Sequence, residues 1–359
     1  MSGNDTGLSV KHESLNFIFI NLLSAFIIEN MTIAERKNNH IDICLNGDVR
    51  SKVGNGFEKY RLIHNAAPEA DFHQFNIETV FLGKKISAPF MISSMTGGTK
   101  HGEQINRNLI EAAAEIGLPF AIGSQRIYLA NNDFPKVPFR KIAPDIPILA
   151  NVGAVQLNFG FTRDQFLRAV DMLEADALIL HLNPLQELIQ TDGNCDFSGL
   201  LDKIADLCSG FPVPVVIKEV GWGINPELAG RLADCGAAMI DVAGAGGTSW
   251  SQVESLINGS RDSMELAQPF ADWGIPTAEC ISSIHEKYPD IPLIASGGIM
   301  NGVEAAKAVW LGAKVCGMAA RLLPAAADGT AADVCDVLRC VISQYKIARF
   351  LSCGIEKIA

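Results

Sequence analysis

The sequence lacks two features that would point to metal or nucleic-acid binding. Its nine cysteines are scattered and no Cys-x-x-Cys pair occurs, which excludes a zinc-finger type of site. The formal net charge is -11, which argues against a nucleic-acid-binding surface. An odd number of cysteines in a long chain favours reduced thiols and a cytoplasmic protein. Any anionic ligand must therefore be held by a local group of basic residues.

The apolar run near the start of the chain is too short to span a membrane. It covers residues 15–28, is interrupted by Asn16, Asn21 and Ser24, and falls short of the roughly 20 residues that a spanning helix needs. A weak membrane anchor, an unrecognised signal segment and sequence outside the true start remain as interpretations. We favour the last, because Met31 opens a stretch typical of a soluble chain. We therefore expect residues 1–30 to be an extension that is not part of the folded domain, and no stable membrane association.

Eight short apolar runs alternate with amphipathic stretches along the rest of the chain. Such runs are typical of strands buried on both faces, and no repeat of 20–50 residues is visible. The pattern predicts an α/β fold, namely a (β/α)8 TIM barrel that forms one domain over residues 31–359. We expect a leader over residues 31–85 before the barrel and an insertion after the sixth strand, from Ser249 to Asp290. The predicted strands are Pro89–Ser94, Pro119–Gly123, Pro147–Asn151, Ala177–His181, Pro214–Lys218, Ala238–Val242, Pro292–Ser296 and Val315–Met318. The predicted helices are Glu103–Ile116, Arg163–Leu173, Phe197–Cys208, Pro226–Cys235, Gly302–Leu311 and Ala332–Cys353, with Gly117 and Gly312 at helix ends.

Nearly every predicted strand ends in a polar residue or a glycine. The carboxyl ends of barrel strands open onto one face, and that face holds the active site. Glycines follow the sixth strand, where Thr248 adds a hydroxyl, and also the seventh strand at Gly297-Gly298 and the eighth at Gly317-Met318-Ala319-Ala320. The loops after strands seven and eight are the usual phosphate site of a barrel. One such loop would indicate only a tight turn. Two adjacent ones in this order favour a phosphate cradle.

Lys218 ends an otherwise apolar strand. A lysine directed into a barrel is costly unless it is paired or used. It could form a Schiff base or place positive charge beside a flavin ring, and Lys218 alone does not decide between them. The first three strand ends offer neutral hydrogen-bonding groups and no strong general base, which suits a flat heteroaromatic ring. These residues are Ser94, Met95, Thr96, Ser124 and Asn151.

The segment HLNPLQE, residues 181–187, follows the fourth strand. His181 and Asn183 share a side if the strand continues to Asn183, and Gln186 and Glu187 would then lie on the following loop. A carboxylate near an anionic pocket is a natural Mg²⁺ ligand. Taken alone, Glu187 is more typical of a solvated loop charge.

Basic residues also precede the barrel. Arg36, Lys37 and His40 lie in the leader, and Arg126 follows the second strand. If the leader folds over its own or a neighbouring barrel, these side chains form a cationic clamp for phosphate. Taken alone, the leader residues are more typical of a surface charge cluster.

Together these segments resemble the FMN-dependent, type 2 isopentenyl-diphosphate isomerase family, from about residue 31 to the C-terminus. The matching segments are RKNNHI (36–41), SSMTGG (93–98), GSQR (123–126), NVGA (151–154), HLNPLQE (181–187), KEVGWG (218–223), DVAGAGGTSW (241–250), SGGI (296–299) and GMAA (317–320). The glycine motifs are shared with many flavin barrels, whereas RK-x-x-H with HLN-x-x-QE is specific to this family.

The resemblance implies an FMN-binding barrel that assembles as a homotetramer or homo-octamer. It implies catalytic roles for His181, Asn183 and Gln186, and Mg²⁺ held by Glu187. It implies substrate contacts from Arg36, Lys37, His40, Arg126, His181, Asn183 and Gln186. It implies FMN contacts from Ser94, Met95, Thr96, Ser124, Asn151, Lys218, Thr248, Gly297, Gly298, Ile299, Ala319 and Ala320.

The implied reaction interconverts isopentenyl diphosphate and dimethylallyl diphosphate in isoprenoid biosynthesis. One proton is added to an unactivated alkene and another is removed, and a strong protein acid is missing. In the family the reduced FMN acts as the acid and base, after NADPH has reduced it, and Lys218 favours its anionic form.

Two alternatives remain open. An FMN-dependent 2-hydroxy-acid oxidase would need a late His base with an adjacent Arg, but only His285 follows His181, and Arg321 has no such partner. A related dehydrogenase reaction on IMP would need a nucleophilic cysteine, for which Cys280 lacks the motif. The second alternative, a flavin-binding protein without catalysis that is tethered by residues 15–28, would have no use for the RKNNH and HLNPLQE segments.

Overall fold

Eight parallel strands close into a barrel in the computed structural model, which describes residues 32–358. The expected extension, residues 1–30, lies outside the described residues. The strands are β1 Tyr60–His64, β2 Thr79–Phe81, β3 Lys84–Ile86, β4 Phe90–Ile92, β5 Phe120–Ala121, β6 Ile148–Gly153, β7 Ala177–Leu182, β8 Val215–Glu219, β9 Met239–Asp241, β10 Leu293–Ala295, β11 Ala313–Met318 and β12 Ser352–Lys357. The order of the strands around the barrel is β10-β11-β4-β5-β6-β7-β8-β9, so the (β/α)8 prediction is confirmed.

Side chains of the barrel strands are buried on both faces. One set fills the barrel interior, including Met91, Leu149, Ile179 and Val216, and the alternating set packs under the helices. This is why the strands appear in the sequence as unbroken apolar runs. The pairing register then brings polar residues to one level, since His181 pairs with Lys218 and Lys218 with Asp241.

The helices alternate with the strands and cover the barrel. The predicted helix ends are confirmed at Gly117 (φ +81°) and Gly312 (φ +117°), where the left-handed conformation favours glycine. The helices are α1 Ile33–Asn46, α2 Lys100–Ile116, α3 Arg126–Ala130, α4 Phe139–Ile142, α5 Arg163–Asp171, α6 Pro184–Ile189, α7 Leu200–Cys208, α8 Pro226–Asp234, α9 Trp250–Asn258, α10 Arg261–Ala267, α11 Thr277–Lys287, α12 Gly302–Trp310, α13 Leu323–Asp328 and α14 Ala331–Phe350. Within residues 32–358, no helix has both the length and the apolar character to cross a bilayer.

Many predicted bounds of strands and helices differ from the observed ones by one to three residues, and tertiary structure explains the differences at the last helix and at the insertion. The last helix ends at Phe350 and not at Cys353, because Ser352–Lys357 pairs antiparallel with β1. The insertion is also shorter than predicted. It comprises α9, α10 and the 3-10 turn Gln268–Phe270, whereas α11 is an ordinary barrel helix that buries Ala278, Ile281 and Ile284 against the core.

The leader is more regular than its mixed composition indicates. It contains helix α1, strand β1 and the β2–β3 hairpin. Thr32 caps α1 by accepting from the Glu35 N–H, while the Glu35 carboxylate accepts from the Thr32 N–H, which is a capping box. Helix α1 packs against α9 of the insertion, so the leader and the insertion meet over the barrel mouth.

Candidate active site

A cavity of about 450 Å³ opens at the carboxyl ends of the barrel strands. Its volume is in the range typical of small-molecule and cofactor sites. All the residues predicted for the site line this one cavity. They are Arg36, Lys37, His40, Ser94, Met95, Thr96, Ser124, Arg126, Asn151, His181, Asn183, Gln186, Glu187, Lys218, Thr248, Gly297, Gly298, Ile299, Ala319 and Ala320.

The loops after β9 and β10 approach each other too closely for side chains. A Cβ on Gly298 would lie 2.3 Å from the Gly246 carbonyl oxygen, and one on Gly247 would lie 2.8 Å from the Gly298 nitrogen. Gly298 also has φ +73°, which favours glycine. Backbone N–H groups can therefore surround an anion at this end of the cavity. This cradle fits the phosphate of FMN.

Lys218 lies in an ion-paired group on the floor of the cavity. Its Nζ is 3.4 Å from Asp241 Oδ2 and donates to Ser296 Oγ at 3.3 Å and to the Glu219 carbonyl at 3.0 Å. Ser296 Oγ donates to the other Asp241 oxygen at 2.5 Å. A Schiff-base lysine has to react as the uncharged amine, whereas Lys218 is paired with a carboxylate. The pairing therefore fits a positive charge beside a flavin better than a Schiff-base nucleophile. Ser94 Oγ is buried and has no hydrogen-bond partner in the part of the chain that the structure describes, so it can bind a ligand.

His181 lines the cavity in its neutral form. Its Nδ1 is 2.7 Å from Asn151 Oδ1. Shielding from water, together with the positive charges of Lys218, Lys37 and Arg126, lowers the pKa of His181 to about 4. The imidazole is therefore uncharged at neutral pH.

The segment after β7 is a helix and not the predicted loop. The strand ends at Leu182, and α6 begins behind Asn183 with Pro184 at its first position, which suits proline because that nitrogen needs no helical partner. Gln186 and Glu187 therefore lie on a short rigid helix. Since Asn183 no longer continues the strand, it faces α6 and donates to Gln186 Oε1 and Glu187 Oε1 at 3.1 and 3.0 Å.

Glu187 is buried, which excludes a solvated loop charge. Only 6% of the residue is exposed, and Oε2 accepts from the Asn194 N–H at 2.6 Å. Nearby, Asn183 Oδ1 is buried and accepts no hydrogen bond from residues 32–358. Among residues 32–358 there is no cluster of three or more His, Cys, Asp or Glu ligands. Mg²⁺ often takes one carboxylate and completes its shell with water and phosphate oxygens, so Glu187 fits such a role.

The leader helix α1 brings its basic residues over the barrel of the same chain, which excludes a free surface cluster. Lys37 Nζ donates to the Gly97 and Ser124 carbonyls at 2.6 and 2.9 Å. Arg36 donates to the Thr191 carbonyl at 3.3 Å. Burial and the neighbouring Arg126 lower the pKa of Lys37 to about 7. An anion bound here would stabilise the charged form.

Sequence reasoning missed Glu254, which joins the leader to α6. It lies on α9 and is 2% exposed, and Oε1 is 2.9 Å from His40 Nε2 and accepts from Gln186 Nε2 at 2.8 Å. Burial raises its pKa, but the contacts with His40 and Gln186 and the charge of Arg36 outweigh burial and lower it. The sequence offered one signal for Glu254, which is its spacing from Trp250. The two residues are one helical turn apart and so lie on the same side of α9, and the ring of Trp250 packs edge-on against His40.

The residues required by the alternative enzymes lie away from the cavity. His285 is exposed on α11. Cys280 is fully buried in the same helix, where burial raises its pKa to about 12, so it is a thiol. Neither residue lines the cavity.

Comparisons with known proteins agree with this geometry. A family model described as FMN-dependent dehydrogenase matches residues 180–359. An isopentenyl-diphosphate delta-isomerase of Nostoc sp. is 50% identical over 310 residues, covering 84% of this chain and 88% of that protein. Its counterpart in Stutzerimonas stutzeri is 47% identical over 326 residues, covering 90% and 94%.

Solved structures with the same fold include FMN-dependent oxidases. A mandelate oxidase variant superposes with a TM-score of 0.59 at 16% identity, covering 89% of this chain and 95% of that one. A putative lactate oxidase of Pediococcus acidilactici gives 0.58 at 16%, covering 92% and 89%. At such identities the likeness shows the fold alone. Since the curated relatives are far more similar and match over most of their length, the chain belongs to the isopentenyl-diphosphate delta-isomerase family, on a barrel that carries the FMN-dependent dehydrogenase domain.

Proposed function

We propose that this protein interconverts isopentenyl diphosphate and dimethylallyl diphosphate with reduced FMN as the acid and base. The observation that carries the proposal is that one cavity holds two different groups suited to anions. The glycine cradle at Gly247 and Gly298 offers backbone N–H groups, and the leader with Arg126 offers cationic side chains. A phosphorylated cofactor and a diphosphate substrate would need two such groups.

Three ionisable side chains at or beside the cavity are unsuited to act as a strong acid. His181 is neutral, Lys218 is paired with Asp241, and Glu254 is ionised and held by two partners. When bound, the reduced flavin would supply the proton donor and acceptor that these side chains lack. The chain itself would hold the substrate, fix its orientation and exclude water.

Each part of the chain has a distinct task in this proposal. Arg36, Lys37 and Arg126 would bind the diphosphate, and His40 would add a further contact from the same helix. Gln186, fixed by Glu254 and Asn183, would lie beside the reacting carbons without carrying a charge of its own. Trp250 and α1 close the cavity from above, which keeps water from a carbocation-like state.

Several finer assignments belong to the same proposal. Glu187 would bind Mg²⁺ between protein and diphosphate, NADPH would reduce the flavin before the first turnover, and the protein would form a homotetramer or homo-octamer. A cytoplasmic location is supported by the nine cysteines, all of which are free thiols.

The test is an anaerobic incubation of the purified protein with isopentenyl diphosphate, FMN, Mg²⁺ and NADPH, followed by NMR. We expect dimethylallyl diphosphate to form with catalytic amounts of NADPH, and none with oxidised FMN alone. His181→Asn should slow the reaction, whereas the matched control His285→Gln, on the outer helix α11, should not. A yellow protein that forms no product would contradict the substrate assignment and favour a 2-hydroxy-acid oxidase.

A further inference from the structure

Gln125 is a fully buried polar residue with no role in the reaction described above. It has 0% exposure and lies between the end of β5 and helix α3. Its backbone N–H donates to the Asn151 carbonyl at 2.8 Å, and its side-chain Oε1 accepts from the Asn151 N–H at 2.9 Å. The side chain thus continues the β5–β6 ladder beyond the end of the two-residue strand β5. Both backbone groups of Asn151 are fixed by one residue.

The other end of the Gln125 side chain is anchored to a helix. Its Nε2 donates to the Ala169 carbonyl at 2.9 Å. Ala169 lies in the last turn of α5, where carbonyls have no partner within the helix. Gln125 therefore connects a rigid helix end to the strand end that carries Asn151.

Asn151 in turn determines which nitrogen of His181 carries the proton. Asn151 Oδ1 lies 2.7 Å from His181 Nδ1, and an amide oxygen can only accept. A neutral imidazole has a single N–H, so that proton must be on Nδ1. Nε2 then carries a lone pair, borders the cavity and has no hydrogen-bond partner among residues 32–358.

We propose that Gln125 is a positioning residue that acts through Asn151 to hold His181 in the Nδ1–H tautomer, with Nε2 presented to the cavity as an acceptor. Its meaning for catalysis rests on the proposed isomerase function. Asn151 Nδ2 has no hydrogen-bond partner among the described residues, so the same amide can donate to a bound ring. His181 Nε2 would then accept a hydrogen bond from a bound ligand and would not donate one to the diphosphate.

The tautomer can be observed directly by long-range ¹H–¹⁵N NMR of the FMN-loaded protein with labelled histidine at pH 7. Seven histidines are present, and the His181→Asn variant identifies the signal of His181. We expect the wild-type ring to be neutral and protonated on Nδ1. A ring protonated on Nε2, or on both nitrogens, would overturn the proposal.

Gln125→Met tests the positioning role. Methionine has a similar length but lacks the amide oxygen that accepts from the Asn151 N–H. The buried N–H therefore loses its hydrogen-bond partner, and the Asn151 peptide shifts towards another acceptor. We expect the Nδ1–H share of His181 to fall from above roughly nine-tenths to about half. Gln252→Met is the matched control, because it also removes a glutamine bond to a helix-end carbonyl, that of Ala267, and should leave the tautomer unchanged.

Each outcome decides the matter. An unchanged tautomer in a folded Gln125→Met protein would overturn the proposal. If Gln125→Met does not fold, the variant Asn151→Ala replaces it, because this change removes the acceptor for His181 Nδ1. We expect Asn151→Ala to lose the preference for the Nδ1–H tautomer. A preserved preference would also overturn the proposal. The NMR measurement uses no substrate. A correct tautomer with no isomerase activity would therefore contradict the proposed function alone.

Discussion

Replacing Glu254 by glutamine tests the contact that connects the leader to helix α6. Glu254 is 2% exposed, and one carboxylate oxygen holds both His40 and Gln186. Glutamine preserves the shape and one acceptor but removes the charge. A hydrogen bond to a charged group contributes about 1.5–3 kcal/mol and a neutral one about 0.5–1.5 kcal/mol. Over two bonds the difference is roughly 1–3 kcal/mol.

That difference corresponds to a loss of roughly 5- to 150-fold in kcat/KM for isopentenyl diphosphate. The assay is the initial rate of the FMN-reduced enzyme, with FMN affinity measured separately by fluorescence. We expect FMN affinity to be unchanged, since Glu254 does not contact the glycine cradle. Glu265→Gln, an exposed change in the neighbouring helix α10, is the control. A Glu254→Gln enzyme within about twofold of the wild type would refute the reasoning.

Three other perturbations address the metal, the cradle and the leader. Glu187→Gln should weaken the Mg²⁺ dependence of activity and raise KM while FMN stays bound; an unchanged Mg²⁺ titration would remove Glu187 as a ligand. Gly298→Ala should lower FMN affinity about tenfold or more in a fluorescence titration, because the new Cβ would lie 2.3 Å from the Gly246 carbonyl. Gly83→Ala is its control, with a similar φ of +76° but nothing within 4 Å. At pH 8, binding of isopentenyl diphosphate should take up a proton, because Lys37 with a pKa of about 7 is then largely neutral and an anion restores its charge. Calorimetry in buffers of different ionisation enthalpy measures the uptake, which should vanish at pH 5.5 and in Lys37→Met.

The barrel could be predicted from the sequence because its strands are simple. Most residues of β4 to β11 are buried on both faces, so the apolar runs alone locate these strands. The pairing of β1 with β12 could not be predicted, because Tyr60 and Lys357 are far apart in the chain and the short strand SCGIEK lacks a strong alternating pattern. Its position is fixed by tertiary pairing and not by local preference.

The candidate site was predictable wherever a side chain sits at a strand end. Barrel closure alone brings residues such as Asn151, His181 and Lys218 together. Glu254 and Gln125 were not predictable in their roles. Glu254 contacts His40 and Gln186 only because α9 folds back over the mouth, and Gln125 contacts Asn151 in a way that no motif encodes.

The distribution of charge explains how an acidic chain could hold an anion. The chain has a net charge of -11, yet three buried acids at or beside the cavity are already engaged: Asp241 by Lys218, Glu254 by His40 and Gln186, and Glu187 by amide donors. Arg36 and Lys37 line the same cavity, and their charged groups donate to backbone carbonyls, those of Thr191 for Arg36 and of Gly97 and Ser124 for Lys37. Carbonyl dipoles compensate a buried cation only in part, and this is the reason that the pKa of Lys37 falls. The surplus of positive charge is therefore local and buried, where solvent ions screen it less than at the surface. A diphosphate would restore the charged form of Lys37. Because a neutral ligand would not compensate the buried charge of this lysine, the site favours an anion.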